Sequence, residues 1–256
     1  MNINIPGILL RLRRKFKSVF KSAFVPKKPV LGRVACLGQS VISARSSIFY
    51  NPVLINQQKT RCDLFLDWIN GAPRPVANSV KKHLNRDYVL PWIEEQERLP
   101  WIEQRGNVRL LLMDSFSELT DQKFTHKKEG WSFACHYNDL IHTPEFSQQF
   151  DCFGLLPIDQ IEESFSRFFV WFFNRHPGAV VLFLHFPTKF DSRIHFCERA
   201  VAIKEIMERI SSRHPSIRNI SLSDDRVEQS TVDVHPYHFS EQTVNAFVEE
   251  WKRSLR

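Results

Sequence analysis

Four short apolar runs along the chain have the length and continuity of buried β-strands. They cover residues 33–37, 108–113, 179–185 and 217–222. Apolar runs without alternating polar positions are typical of parallel strands whose two faces are both covered by helices. The pattern therefore predicts an α/β fold with a central parallel sheet.

Helical periodicity is clearest between the later runs. Residues 157–175 carry an apolar stripe that ends at a His-Pro-Gly stop signal, and residues 192–213 form a second long periodic stretch. Ser240 is a suitable N-cap for a closing helix, in which Val244, Phe247 and Trp251 recur at near-helical spacing. These helices are expected to cover the two faces of the sheet.

Two regions do not follow this alternation. Residues 46–107 are rich in Trp and Pro and are expected to form an insertion between the first two strands. Residues 120–156 hold several His and aromatic residues with little periodicity. Long excursions of this kind build a substrate pocket or a lid, or else pack on the sheet as peripheral helices.

The positive charge of the chain is confined to its N-terminal segment. The first 30 residues carry eight Lys and Arg and no acid, so the other 226 residues hold 27 basic and 28 acidic side chains. A nearly neutral body is not expected to bind nucleic acid. The chain divides accordingly into a basic segment, residues 1–30, and one α/β domain, residues 31–256.

Residues 8–24 alternate apolar and cationic positions at helical spacing. The longest apolar run in this segment, Ile8 to Leu10, is much too short to cross a bilayer. The pattern favours an amphipathic helix on an anionic membrane surface, although a solvated basic arm or a helix that packs on a partner protein also fits. The five cysteines are odd in number and form no CxxC pair, which indicates reduced thiols. We therefore expect a cytoplasmic protein, attached peripherally to the inner face of the membrane.

Residues that can carry chemistry follow the predicted strands. In open α/β sheets, ligands bind beyond the carboxyl ends of the strands. Ser40, after the first run, could act as a nucleophile, His235 as its general base and Asp233 as the group that orients the imidazole. A Gly-x-Ser after a strand is common, however, and a His before Pro is often only a turn residue.

Two other constellations are possible. Lys189 and Arg193 follow the third run and could meet an anionic group or a cofactor phosphate, or they could belong to a solvated loop capped by Asp191. His185, with the two histidines of residues 235 and 238, could bind a metal if the strand ends converge. No metal is expected, because no HExxH motif or similar ligand spacing is present.

Two motifs resemble those of the SGNH/GDSL hydrolase superfamily. The "LGQS" of residues 37–40 looks like the serine block of that superfamily, and the "DVHP" of residues 233–236 looks like its histidine block. The chain is also similar to SGNH-like proteins of bacterial capsule and surface-polysaccharide biosynthesis, in which an Arg follows the serine block as Arg45 does here. The resemblance implies a flavodoxin-like three-layer α/β/α sandwich.

The resemblance also implies a function, namely serine-dependent acyl-ester chemistry on a carbohydrate. Water as the acceptor gives an O-acyl esterase, which needs no cofactor. A sugar hydroxyl gives an O-acyltransferase, whose donor would be an acyl-CoA such as acetyl-CoA, with phosphates near Lys189, Arg193 or Arg45. The alternative is a non-catalytic SGNH-like scaffold in polysaccharide assembly at the membrane.

The sequence departs from the superfamily pattern at two points. Asp233 lies two residues before His235 where three are usual, and the glycine and asparagine oxyanion blocks have no counterpart. Backbone N–H groups near Ser40 are therefore expected to stabilise the oxyanion. The residues expected to bind the substrate or the oxyanion are Gly38, Gln39, Arg45, Asp114, Ser115, His185, Lys189, Arg193 and His238.

Overall fold

The computed structural model describes residues 30–49, 54–104, 108–232 and 235–254. The basic segment of residues 8–24 and the side chain of Asp233 lie outside these ranges. For Cys36 and residues 45–49, Arg45 included, the structure describes the backbone only. Among the described helices, none combines the length and the apolarity needed to cross a membrane.

Five parallel strands form the central sheet of the described chain. They are β1 (Val30–Arg33), β2 (Leu54–Asn56), β3 (Leu110–Asp114), β7 (Val180–Leu184) and β8 (Ile217–Ile220), in the order β2-β1-β3-β7-β8. The connections reverse direction between β1 and β3, so this pair of strands marks the topological switch point of the sheet.

The described chain has nine α-helices. They are α1 (Cys36–Phe49), α2 (Cys62–Ile69), α3 (Ala77–Lys81), α4 (Leu90–Arg98), α5 (Phe116–Thr120), α6 (Pro144–Gln149), α7 (Ile158–Arg175), α8 (Ile194–Arg213) and α9 (Glu241–Ser254). One apolar core joins the sheet to α2, α7 and α8, and a second core joins its other face to α1 and α9. The chain is thus a three-layer α/β/α sandwich, and the predicted fold class is confirmed.

A smaller antiparallel sheet packs beside the main one. Its strands are β4 (Asp121–His126), β5 (Ser132–His136) and β6 (Phe150–Gly154), in the order β5-β4-β6. A third apolar cluster lies between this sheet and the short helices α3 and α4. The sequence did not predict this sheet, because β4 buries only Asp121 and Phe124 and so lacks a period of two.

The first predicted strand was wrong in position. The run of residues 33–37 was expected to be a strand, yet β1 ends at Arg33 and α1 begins at Cys36. The buried residues Val34, Leu37 and Val41 recur at helical spacing, but β1 is buried as well. The end of the strand and the start of the helix therefore form one continuous apolar run in the sequence. In a run of this kind, periodicity does not distinguish a strand from a helix.

The region of residues 46–107 was expected to form an insertion between the first two strands of the chain. It instead supplies the edge strand β2, which pairs in parallel with β1, along with the helices α2, α3 and α4. At three residues, β2 is too short to give a strand signal in the sequence.

The later elements agree with the sequence. Strands β3, β7 and β8 and helices α7 and α8 lie where the pattern predicts them, within two residues at most boundaries. Ser240 caps the last helix, since its hydroxyl accepts a hydrogen bond from the N–H of Thr243 (3.3 Å). Ile194, the first residue of α8, is apolar and yet 73% exposed, so it lies outside the buried stripe of that helix.

A buried ion pair joins the end of β1 to helix α5. The guanidinium of Arg33 donates to both carboxylate oxygens of Glu118 (2.7 Å each), and neither side chain is more than 1% exposed. Arg33 also donates to the carbonyls of Thr60 (3.0 Å) and Asp114 (3.1 Å). Glu118 in turn accepts from the N–H of Cys62 (3.0 Å). One ion pair therefore ties β1 and β3 to α5 and to the start of α2.

We predict that Glu118→Gln is strongly destabilising, because it leaves the guanidinium of Arg33 buried without its counter-charge. Breaking a buried pair in this way typically costs about 3–5 kcal/mol, to be measured as the free energy of unfolding in urea. The matched control is Glu162→Gln, whose carboxylate pairs with Arg209 and Arg213 at the surface. That change should cost less than about 1 kcal/mol. Equal losses for the two variants would contradict a dominant role for the buried pair.

Candidate functional site

A cavity of about 790 Å³ opens at the carboxyl end of the main sheet. Three residues that follow strands line it: Ala35 after β1, Gln58 after β2 and Phe116 after β3. It therefore lies at the switch point between β1 and β3, where α/β sheets bind ligands. Both excursions from the sheet also reach it, because Trp92 of α4 and His136 of β5 line its walls.

The serine block lies inside the first turns of α1. Gln39 lines the cavity and donates from its side-chain amide to Gln58 Oε1 (2.8 Å). Ser40 is exposed and does not line the cavity. The expected strand-to-helix turn thus comes earlier, at Val34 and Ala35. The N–H of Gln39 bonds to the carbonyl of Ala35 (3.1 Å), so it is not available to an oxyanion.

Gly38, a predicted oxyanion residue, has a packing role. A Cβ at this position would lie 2.4 Å from Val34 Cβ and 2.5 Å from its Cγ1. The absence of a side chain therefore lets α1 sit close against the end of β1.

His235 of the histidine block borders the same cavity as Gln39. His235 and His238 both line the cavity, with ring centroids 4.8 Å apart. The Nδ1 atom of His235 accepts from the N–H of Tyr237 (3.3 Å). This bond places the proton of the neutral ring on Nε2, whereas a base that acts through Nε2 needs the opposite tautomer. Within the described chain, no hydrogen bond joins the Ser40 hydroxyl to His235, and Asp233 lies outside the described residues.

A fixed trio of side chains supports this wall of the cavity. The Tyr237 hydroxyl donates a very short hydrogen bond to Asp191, and Arg193 donates to both oxygens of that carboxylate (2.8 Å each). Burial opposes ionisation of Asp191, but the hydrogen bonds from Arg193 and Tyr237 outweigh it and lower the pKa of Asp191 to about 2. Arg193 lines the cavity, with its charge matched by Asp191. Tyr237 was not predicted as a site residue, although it lies between the two histidines.

Asp114 and Ser115 serve the backbone below the cavity and do not line it. The carboxylate of Asp114 accepts from the N–H groups of Ala35 (2.7 Å) and Phe116 (3.1 Å). Burial raises the pKa of Asp114 to about 7, although these N–H groups and the charge of Arg33 oppose the rise. The Ser115 hydroxyl accepts from the N–H of Phe186 (3.1 Å). Both residues hold the turn after β3.

His185 and Lys189 lie away from the cavity. His185 packs beside Phe183, and burial together with nearby Lys204 lowers its pKa to about 4. Lys189 donates to the carbonyls of Asp224 (2.7 Å) and Val227 (2.8 Å), so it braces a loop.

The three histidines considered for a metal do not converge, since His185 is not beside His235 and His238. The described residues hold no group of three or more His, Cys, Asp or Glu placed to bind a metal ion.

A buried lysine that the sequence analysis missed completes the cavity. Lys59 follows β2 in a left-handed conformation (φ 55°), which is unusual for a residue other than glycine. Its ammonium lies 3.3 Å from Asp121 and 3.0 Å from Asp139. Burial acts to lower the pKa of Lys59, but these two carboxylates outweigh it and raise the pKa. No sequence signal marks Lys59, because its partners lie 62 and 80 residues away.

The comparisons with known proteins are distant. No protein-family model matches the sequence, and no curated protein matches it either. The structure is similar to that of an acetyl xylan esterase, Est2A, from the rumen bacterium Butyrivibrio proteoclasticus. The TM-score is 0.38 and the identity 12%, over 90% of this chain and 59% of that chain. This chain thus spans about 59% of the length of that protein, and a likeness of this degree does not establish a shared activity.

We predict that Tyr237→Phe destabilises the protein by about 2 kcal/mol near neutral pH, because it removes a buried hydrogen bond to a charged group. The pKa of Asp191 is lowered from 3.8 to about 2, so the stability it contributes is present above pH 3.8 and is lost as the pH falls through 2. The deficit of the variant should therefore shrink over this range in urea unfolding. Tyr137→Phe, at an exposed tyrosine, is the control and should change stability by less than about 0.5 kcal/mol. A deficit independent of pH would contradict the assignment.

Proposed function

We propose that the protein carries out serine-dependent acyl-ester chemistry on a carbohydrate, as an O-acyl esterase or an O-acyltransferase. One observation carries the proposal: residues of the serine block and of the histidine block, which lie about 200 positions apart in the chain, border one cavity at the switch point of the sheet. Gln39 represents the first block there, and His235 represents the second, with His238 close to it in the chain. The surface-polysaccharide setting rests on the motifs alone.

The proposed reaction proceeds in two steps. His235 takes the hydroxyl proton of Ser40 as the serine oxygen attacks the acyl carbonyl, and then passes that proton to the departing sugar oxygen. Water or a second sugar hydroxyl next attacks the acyl-serine and gives its proton to His235, which passes it to the Ser40 oxygen as the acyl–serine bond breaks and the acid or the new ester leaves. This reaction needs the neutral imidazole to carry its proton on Nδ1, oriented by Asp233, so the hydrogen bond that Nδ1 accepts from the N–H of Tyr237 must break. First-turn N–H groups of α1 are proposed to stabilise the oxyanion. A transferase would draw the acyl group from an acyl-CoA in the first step, so the thiol of CoA, and not a sugar hydroxyl, would leave with the proton from His235.

Two observations favour a second candidate, a non-catalytic carbohydrate-binding or scaffold protein with an SGNH-like fold. Ser40 lies one helical turn beyond the end of β1 and does not line the cavity. His235 accepts at Nδ1, which is opposite to the tautomer that base catalysis at Nε2 requires. In this candidate the cavity binds a ligand without breaking a bond.

Substitution of Ser40 distinguishes the two candidates. If the serine is the nucleophile, Ser40→Ala and His235→Ala should each lower kcat/KM for p-nitrophenyl acetate and for acetylated oligosaccharides by at least about 10³-fold. Ser43→Ala makes the same change at an exposed serine of the same helix and should retain full activity. Thermal unfolding of each variant checks the fold. Full activity of Ser40→Ala would eliminate the nucleophile, and inactivity of the natural chain would favour the binding protein.

The basic segment is proposed to hold the protein on an anionic membrane. Residues 8–24 carry phenylalanines among lysines and arginines, so binding should depend on both apolar insertion and charge. We expect the full chain to co-sediment with vesicles that contain phosphatidylserine, and less so with neutral vesicles or at high salt. Deletion of residues 1–28 should abolish co-sedimentation. Unchanged sedimentation of the deletion variant would refute the proposal.

A further inference from the structure

One corner of the cavity is built by the two excursions from the main sheet. Its residues are Arg86, Tyr88, Trp92, His136 and Asn138, and we refer to them as the aromatic corner. The first three come from the turn before α4 and from α4 itself, and the other two come from the end of β5 and the turn that follows it. None belongs to the serine or histidine block.

Tyr88 is exposed and yet held in place. Its side chain is 57% exposed, its ring meets the edge of Trp92 with centroids 5.5 Å apart, and its hydroxyl accepts from Arg86 (3.2 Å). Arg86 is itself held by the buried carboxylate of Asp139 (3.3 Å). A large aromatic ring fixed at both ends loses little conformational entropy when a ligand stacks on it. The corner therefore offers a preorganised flat apolar surface to the cavity.

The charges of the corner are balanced. Two cations, Lys59 and Arg86, face two buried carboxylates, Asp121 and Asp139, within 3.3 Å. An anionic ligand such as a nucleotide gains little attraction from a cation that is already neutralised. The electrostatics therefore favour a neutral ligand over a phosphate.

Groups suited to hydroxyls border the aromatic rings. His136 Nδ1 accepts from the N–H of Asn138 (3.1 Å), so the neutral ring carries its proton on Nε2. Burial lowers the pKa of His136, which keeps the ring neutral at physiological pH. The side-chain amide of Asn138, which makes no hydrogen bond within the described chain, offers both a donor and an acceptor. Directional groups of this kind match sugar hydroxyls.

We propose that the aromatic corner binds a pyranose ring of a neutral oligosaccharide, with the C–H face of the sugar on Tyr88 and its hydroxyls toward His136 and Asn138. The aromatic face is negative and the sugar C–H groups are weakly positive, so the two attract beyond the burial of apolar area. The inference rests on the proposed function in one respect, since it names the part of the substrate that would be held while the ester reacts. It also applies to a cavity that only binds.

Calorimetric titration of the full chain with unacylated oligosaccharides tests the proposal without requiring any reaction. The probes are xylohexaose, cellohexaose and chitohexaose, with hexagalacturonate and coenzyme A as anionic comparators. We expect at least one neutral probe to bind and the anionic comparators to bind more weakly. Tyr88→Ala should weaken that binding roughly tenfold or more, while Tyr88→Phe, which keeps the ring, should stay within about threefold.

The matched control is Phe153→Ala, at an aromatic side chain that is 65% exposed and lines a different groove. It should leave the affinity unchanged. Ser40→Ala should also bind the sugar as the natural chain does. The absence of binding to every neutral probe, or equal affinity of Tyr88→Ala and the natural chain, would overturn the inference. Tighter binding of coenzyme A that is lost in Tyr88→Ala would also overturn it, in favour of a nucleotide.

The two proposals fail separately. If the chain binds sugar through Tyr88 but hydrolyses no ester, the acyl-ester proposal is refuted and the sugar-binding role of the aromatic corner is supported. Ester hydrolysis without sugar binding would do the reverse.

Discussion

The Arg33–Glu118 ion pair is the contact on which the geometry of the cavity depends. It lies at the point where β1 ends, and its hydrogen bonds reach the loop after β2, the end of β3 and the first residue of α2. A buried pair of this kind costs desolvation and gives little net stability compared with an apolar replacement. What it provides is position, because a planar guanidinium accepts only a few arrangements of its neighbours. The loop that carries Gln58 and Lys59 is held in this way directly beside α1.

The cavity combines two structural sources. The carboxyl ends of β1, β2 and β3 form its floor, as the fold class requires. The walls come from the antiparallel sheet and from the turn before α4, whose positions depend on a second buried set of charges around Lys59. The left-handed backbone of Lys59 is a strained conformation, and the carboxylates of Asp121 and Asp139 hold it. The proposed acyl-ester chemistry would take place at the floor of the cavity, and the proposed carbohydrate binding at its walls.

The sequence predicts those elements whose buried residues form one clear pattern, either a helical stripe or a continuous apolar run. Helices α7 and α8 each bury a stripe against the sheet, β7 is apolar throughout and β3 is apolar up to its last residue, Asp114, so pattern and structure agree. The boundary between β1 and α1 was not predicted, because both elements are buried. Strand β2 was not predicted, because three residues are too few to give a pattern. In the site, Gln39, Arg193, His235 and His238 were predicted from their places after strands or before the last helix. Lys59, Tyr88 and Trp92 were not predicted, because their roles arise from contacts between segments far apart in sequence, which carry no local signal.

The close contact between Gly38 and Val34 has a consequence for the serine block. A helix turns by about 100° per residue, so the contact that seats one residue against the strand also sets the direction of its neighbours. With Gly38 against Val34, Gln39 faces the cavity and Ser40 faces solvent. The rotation of α1 about its own axis is set by this contact on its buried side. It determines which residue of the serine block faces a ligand in the cavity. A rotation of the helix by one position would exchange an amide for a hydroxyl at the cavity wall, with no change in the sequence of the block.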